Sequence, residues 1–322
     1  MSMTNEERVV SSEERLRDEF GSLRPALVAH CYRMTGSHQD AEDAVQETYL
    51  KAARGVDAFE GRSSLKTWLY RIATNTCLTE LNHRSRRVLP AGLGAPSDDP
   101  GTRVFADDSV AWLGPLPDAV LGDPGEVVVR RESVRLALVA ALQHLPSRQR
   151  AAFLLREVLS WSAAEIADVL GISVPAVKSL LQRARVRLDE LDLDARLPEP
   201  DERALLDRYI AAFETEDTAA LRAVIQDDFS LEAVPHPVWF KGVGVCLPFL
   251  ERAFAARSGA VRLLPTRANG QPAAGSYQTD AAGVRRAEGL WVFTITAGRF
   301  SRAVKFHDPA LVTAAGLPDR LP

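Results

Sequence analysis

Apolar residues recur at steps of three and four along residues 13–87. Leu16, Phe20, Leu23, Leu27 and Cys31 fall on one helical face, and Ala41, Ala44, Val45, Tyr49 and Ala52 on another, the spacing of amphipathic helices. Ser37 followed by Asp40 reads as an N-cap with an acidic first turn. A third helix is predicted over residues 63–83, with Leu65, Trp68, Leu69, Ile72 and Thr76 inward and Lys66, Tyr70, Arg71 and Asn75 opposite. The pattern returns over 126–145 through Val127, Val134, Leu138, Ala141 and Leu142. Pro146 breaks it, and Ser147 is placed to cap a helix over 148–159.

Residues 162–188 carry the sharpest local signal. Ser162 and Glu165 form a capping box, and Ile166, Ala167 and Leu170 face inward. Gly171 supplies the turn, with Ile172 beneath it. Ser173 caps a second helix with Val177, Leu180 and Leu181 inward, and Pro175 sits in its first turn, where a missing N–H costs little. A helix, a short glycine turn and a second helix make a helix-turn-helix. Beyond Pro198 and Pro200 the pattern changes. Helices are predicted over 201–216 (Leu205, Leu206, Tyr209, Ile210, Phe213) and 219–225. Alternating stretches follow at 229–234, 261–267, 275–280, 289–297 and 299–306, interrupted by a helix over 245–256. That order predicts helices on a strongly curved antiparallel sheet, an α+β domain.

Composition alters this picture little: 46% hydrophobic and 25% charged residues over 322 positions suit a folded chain of two or three domains. No apolar run is long enough to cross a bilayer, and the acidic start MSMTNEERVVSSEERLRDEF is unlike a signal peptide. Cys31, Cys77 and Cys246 form no CxxC pair, so a reducing, cytoplasmic setting is expected, with no metal site or cofactor called for.

Charge changes it more. The net −4 argues against a nucleic-acid partner only as an average. Residues 51–90 hold eight basic against three acidic residues, and residues 127–187 hold ten against four. Between them, residues 91–126 hold one Arg against seven acids in a Pro- and Gly-rich stretch that reads as a poorly ordered linker. Such segregation is the footprint of a nucleic-acid binder, although solvated helix faces would look the same. The second helix of the helix-turn-helix presents Ser173, Ala176, Lys178, Ser179, Gln182, Arg183 and Arg185 outward. Hydroxyl, amide and guanidinium groups of this kind meet base edges and phosphates; the alternative is a basic helix in an ordinary bundle.

Two blocks resemble a known family. DAEDAVQETYLKA at 40–52 and the F-x-G-x-S-S-L-K-T-W-L-Y-R-I-A-T-N-T-C-L run at 59–78 are similar to the second conserved region of sigma-70-type factors of the extracytoplasmic-function group. LPSRQRAAFLLREV with the helix-turn-helix resembles their fourth region. Where that family usually shows V-K-S-R-L, this chain has Val177-Lys178-Ser179-Leu180-Leu181, so the usual upstream contact pattern does not carry over whole. The tail resembles the SnoaL-like branch of the NTF2-like fold through AFETEDTAAL at 212–221, RLLPTRANGQPA at 262–273 and FHDPAL at 306–311, and WLGPLPD at 112–118 resembles a linker motif of such fusions.

The resemblance implies two all-α sigma domains, a helical bundle at 12–90 and a helix-turn-helix domain at 126–192. A linker at 91–125 joins them, and an NTF2-like cone follows at 201–322. It implies a sigma factor without enzymatic activity that binds core RNA polymerase at the β′ clamp and β flap, with Asp40, Glu42, Asp43, Gln46 and Glu47 facing the clamp. Lys66, Arg71 and Asn75, with Arg84, Arg86 and Arg87, would hold the downstream promoter element, and the helix-turn-helix would read the upstream one. The linker would thread through the polymerase. The tail is expected to regulate in cis by touching the sigma regions or the linker, with His236, Trp239, Asn269, Gln271 and His307 as candidate pocket residues. The competing class is a helix-turn-helix regulator with a ligand-sensing or enzymatic tail.

Overall fold

A computed structural model describes residues 5–61, 63–82, 85–122, 134–189, 201–257 and 261–322. The chain forms two compact units, Met1–Arg86 with Leu121–Leu193, and Arg87–Val120 with Asp194–Pro322.

The first unit opens with helices α1 (Asn5–Thr35), α2 (His38–Gly55) and α3 (Leu65–Leu81). Ser37 Oγ accepts the Asp40 N–H at 3.2 Å, and Ser64 Oγ accepts the Thr67 N–H at 3.0 Å. Each bond satisfies an amide that the helix itself leaves unpaired. Leu16, Leu27 and Tyr32 of α1, Ala44 and Val45 of α2, and Leu69, Ala73 and Cys77 of α3 are all buried. The predicted outer face of α3 needs one correction. Tyr70 is buried and meets the His30 ring edge-on at 5.4 Å, because α3 packs on α1, α2 and α5 and so buries more than one face. Trp68 is half-buried at the rim, 5.1 Å from Phe59.

The same unit continues with α4 (Leu136–Leu142), α5 (Ser147–Glu157), α6 (Ala163–Leu170) and α7 (Val174–Asp189). The helix expected over 126–145 is thus shorter among the described residues, and 126–133 lie outside them. Ser147 is the first residue of α5 and not its cap. Pro146 occupies the cap position without a side-chain bond, and its carbonyl accepts the Arg150 N–H at 3.0 Å. The capping box forms in full: Ser162 Oγ accepts the Glu165 N–H at 3.2 Å and Glu165 Oε2 accepts the Ser162 N–H at 2.7 Å. Gly171 ends α6 at φ +61°, a conformation that costs an L side chain roughly 1–2 kcal/mol. Buried Arg150 ties α5 to the end of α1: it donates to the Met34 carbonyl, to Gln143 Oε1 at 2.6 Å and to the Leu145 carbonyl at 3.1 Å.

In the second unit, α8 (Glu202–Glu214) and α9 (Thr218–Val224) precede β1 (Ile225–Val234), β2 (Phe240–Lys241) and α10 (Val243–Arg257). Strands β3 (Val261–Ala268), β4 (Gln271–Thr279), β5 (Arg285–Thr296) and β6 (Arg299–Phe306) follow, then α11 (Pro309–Ala314) and β7 (Arg320–Leu321). The sheet runs β2-β1-β6-β5-β4-β3, with β7 on β5. It is mixed rather than antiparallel, because β1 lies parallel to β6, with Val234 opposite Phe306. The chain leaves β1 and returns only after β2, α10 and three more strands, so the two meet in the same direction. Register shifts at Ser276/Tyr277 and Thr294/Ile295 bend the sheet as bulges do. Its concave side closes on Tyr209, Phe213, Phe293 and Phe300, with Tyr209 4.8 Å from Phe293.

The expected poorly ordered linker is instead a packed strap of this unit. Leu89, Leu113 and Leu116 are buried. Val88 and Leu113 pair through backbone bonds of 2.9–3.0 Å involving Ala111, and the Ser97 N–H reaches the Trp239 carbonyl at 2.8 Å. Pro, Gly and Asp content reads as irregular chain whether or not it is docked; what docks it is apolar burial against the sheet.

Candidate functional site

The recognition helix α7 splits cleanly by burial. Val177, Leu181, Ala184 and Leu188 are buried, and Lys178, Ser179, Gln182, Arg183 and Arg185 are exposed. Ser173 is exposed and spends its hydroxyl on the Ala176 N–H at 3.4 Å as the cap, while Ala176 is half-buried. Arg185 bonds Glu157 Oε1 at 2.7 Å. Leu180, where the resemblance expects Arg, is half-buried. Val186, absent from the predicted contact set, is 54% exposed on the same helix, a position that periodicity alone marks as outward.

On α2, Ala41, Ala44, Val45, Thr48 and Ala52 are buried, which leaves Asp43 and Gln46 exposed and Asp40 and Glu47 partly exposed. Glu47 Oε1 lies 3.5 Å from Lys51 Nζ. Glu42 is engaged inward by Arg24 and His38. The His38 hydrogen bond, with the Arg24 charge, holds its carboxyl below the usual range against the opposing effect of burial. Asp43, Gln46 and Glu47 are therefore the members best placed for a partner.

Lys66, Arg71 and Asn75 are exposed together on α3. Arg71 Nη1 reaches Asp168 Oδ2 of α6 at 2.6 Å. Both side chains are largely in water, so the pair is worth at most about 1 kcal/mol and is easily exchanged for a phosphate. Arg84 lies outside the described residues, Arg86 Nη1 meets His144 Nδ1 at 3.0 Å, and Arg87, in the other unit, donates to the Trp112 carbonyl at 2.7 Å.

The tail holds a cavity of about 660 Å³. Of the five predicted pocket residues it brings together two, His236 and His307, whose rings lie 5.1 Å apart. Burial and nearby Lys305 lower the pKa of His236, only partly offset by the Ala233 hydrogen bond. The other three do different work. Trp239 Nε1 donates to the Gly94 carbonyl at 2.9 Å. Gln271 is buried and donates to the Phe293 carbonyl and Thr294 Oγ1, both at 3.0 Å. Asn269 and Gly270 are the two-residue turn between β3 and β4, at φ +57° and +65°, the conformation that Asn-Gly favours in tight hairpins. Asn269 clamps the strap: Oδ1 accepts the Leu116 N–H at 3.0 Å and its own N–H donates to the Leu116 carbonyl at 2.8 Å. Asp118 Oδ1 accepts the Gly270 N–H at 2.8 Å beside them. The Asn-Gly pair was legible as a turn signal. Cavity residues that sequence reasoning missed are Trp291, Glu288 and Lys305, with Lys305 Nζ 2.8 Å from Glu288 Oε2. Among the described residues no cluster is placed to hold a metal ion, and no helix is long and apolar enough to cross a membrane.

A capped helix-turn-helix with a basic outer face, joined to a three-helix bundle, defines a DNA-binding class of protein. Comparison narrows it. Residues 20–87 match the family model "Sigma-70 region 2" and residues 135–188 match "Sigma-70, region 4". The chain is 49% identical to the ECF RNA polymerase sigma factor SigG of Mycobacterium tuberculosis, over 96% of this chain and 86% of that protein. It is 33% identical to the RNA polymerase sigma-H factor of Pseudomonas aeruginosa over 49% of this chain and 76% of that one. The crystal structure of the M. tuberculosis extracytoplasmic function sigma factor SigJ shares its fold, with a TM-score of 0.62 at 24% identity over 94% of this chain and 99% of that one. The chain belongs to the ECF family of RNA polymerase sigma factors. Its tail is an α+β domain of helices packed on a mixed sheet.

Proposed function

We propose that this sigma factor directs promoter-specific initiation and that its tail regulates it through the strap. The observation that carries the second half is the Asn269–Leu116 clamp: the segment joining the two sigma regions is bonded to the tail at its last turn. Asp43, Gln46 and Glu47 meet basic residues of the polymerase clamp, with Asp40 and Glu42 at the margin. Lys66, Arg71 and Asn75, helped by Arg84 and Arg86, hold the downstream strand. Opening the duplex costs about 1.4 kcal/mol per step, and phosphate contacts with captured bases offset part of it. On α7, Ser173 and Ala176 approach the backbone, and Lys178, Ser179, Gln182, Arg183 and Arg185 enter the major groove.

Two separate promoter elements lie apart on a duplex by about 3.4 Å for every base pair between them. The two sigma regions touch in one unit through Arg150 and Met34, so promoter binding requires them to part and the linker to lengthen. Docking the strap on the tail resists that extension. The protein acts where the polymerase does, in the cytoplasm, and turns over no substrate of its own.

The test is reconstituted transcription with core polymerase. Promoter-dependent transcripts are expected with the full chain and none without it. Asn269→Ala removes the acceptor of the Leu116 N–H while the backbone bond from residue 269 to the Leu116 carbonyl stays, at a cost of about 1–3 kcal/mol, so it should shift transcript yield while core binding is retained. Yield equal to that of the unaltered protein would remove the strap from regulation. Separately, Arg183→Ala is expected to weaken promoter binding and to lower the slope of log K against log salt by about 0.9, one phosphate's worth of counterions. An unchanged slope and affinity would take Arg183 off the DNA.

A further inference from the structure

The tail cavity has a wall that does not come from the tail. Val104 and Ala106 of the strap line it, fixed by the bond from the Asp107 N–H to the Pro235 carbonyl at 2.8 Å, next to His236. Phe213, Phe249, Phe254 and Trp291 give it aromatic walls, and Glu214, Glu216, Glu232, Glu288 and Lys305 stand among them. A volume of about 660 Å³ falls within the roughly 300–1,000 Å³ of small-molecule sites. Aromatic walls favour a ring-containing occupant.

Its charges decide what kind. Glu214 is taken by Arg262 and the Leu263 N–H at 2.8 Å. Glu232 is taken by Arg302 at 2.6 Å and by the Ala91 N–H of the strap at 2.9 Å. Lys305 is bonded to Glu288 and stands 5.6 Å from the Trp291 ring centroid. The single lining lysine is thus committed, beside several carboxylates, and an entering anion would be buried without a counter-charge, which costs several kcal/mol. His236, whose Nδ1 is buried without a hydrogen-bond partner and whose pKa is lowered by burial, offers a neutral imidazole to a hydroxyl, carbonyl or amine, and His307 Nδ1 stands 3.8 Å from Glu288 Oε1.

We propose that this cavity binds one neutral, ring-containing apolar molecule, and that the occupant holds residues 104–106 of the strap against the tail. The binding stands on the cavity itself. Its regulatory meaning rests on the strap reading above, and the test below uses neither polymerase nor promoter, so the two fail separately.

Two fluorescent probes share one skeleton: N-phenyl-1-naphthylamine is neutral, and 8-anilinonaphthalene-1-sulfonate adds a sulfonate. The full chain is expected to bind the neutral probe at one site per chain, at least about tenfold more tightly than the sulfonate, a difference of about 1.4 kcal/mol. Ala253→Trp and Ala256→Trp, both on the cavity-facing part of α10, should each weaken it by a similar factor. Ala256 is exposed, so its variant keeps the fold even where the first does not. Bound neutral probe should also slow tryptic cleavage after Arg103, which is exposed beside Val104. Equal affinity for the sulfonate overturns the ligand class. Binding that neither tryptophan alters overturns the site, and cleavage unaffected by the probe overturns the strap's part in it.

Discussion

Asp43→Lys with Glu47→Lys is expected to abolish holoenzyme assembly while the fold survives. The two positions lie one turn apart on the solvent side of α2, whose opposite side is buried through Ala41, Ala44, Val45, Thr48 and Ala52. Nothing in the core depends on their charge. Replacing Glu47 removes its contact with Lys51 and sets two like charges one turn apart, which costs a few tenths of a kcal/mol. Against a basic partner the same change places like charges face to face, which costs several kcal/mol. At a factor of ten per 1.4 kcal/mol, affinity should fall about a hundredfold or more. Glu42 is the wrong residue for this experiment, since Arg24 and His38 hold it and its reversal would disturb α1 as well. Gel filtration of core polymerase with the double variant reads the outcome, beside a thermal melt of the variant alone. Co-elution at the unaltered level would remove this face from the polymerase contact.

Gly289→Ala should unfold the tail domain. A Cβ at Gly289 would stand 2.1 Å from the Phe306 carbonyl oxygen and 3.0 Å from its carbon. Those are backbone atoms of β6, and β6 is pinned between β1 and β5, so no side chain can turn aside to make room. Overpacking in a closed core costs about 1–3 kcal/mol where neighbours yield, and here they do not, so a loss of about 3 kcal/mol or more is expected. Glu288 and His307 flank the collision, so probe binding in the cavity should vanish with the fold. Urea denaturation followed by tryptophan fluorescence should show an early transition for the tail and a later one for the helical unit. Unchanged stability would mean that β5 and β6 do not pair in this register.

How far the sequence reached depended on the range of the contacts involved. The helix-turn-helix was legible almost to the atom. Ser162, Glu165, Gly171 and Ser173 act within a few residues of themselves, and the spacing of Ile166, Leu170, Val177 and Leu181 sets the buried side without reference to anything distant. Tyr70 was misplaced because one helix period describes one buried face, and α3 has neighbours on more. The fold resemblance alone offers Asn269 and Gln271 as pocket residues. Their bonds to Leu116 and Phe293 reveal turn and strap chemistry instead.

The sequence by itself determined the helices and their caps, the basic and acidic faces of α7 and α2, and the change from helix to strand beyond Pro200, because each follows from local spacing and propensity. Only the tertiary structure decided that the acidic segment docks as a strap. It also decided that His236 and His307 meet, because they follow the paired residues Val234 and Phe306, brought side by side across a long stretch of chain. Pairings of that kind draw their energy from surfaces that exist only once the sheet has closed, and no window of residues contains them.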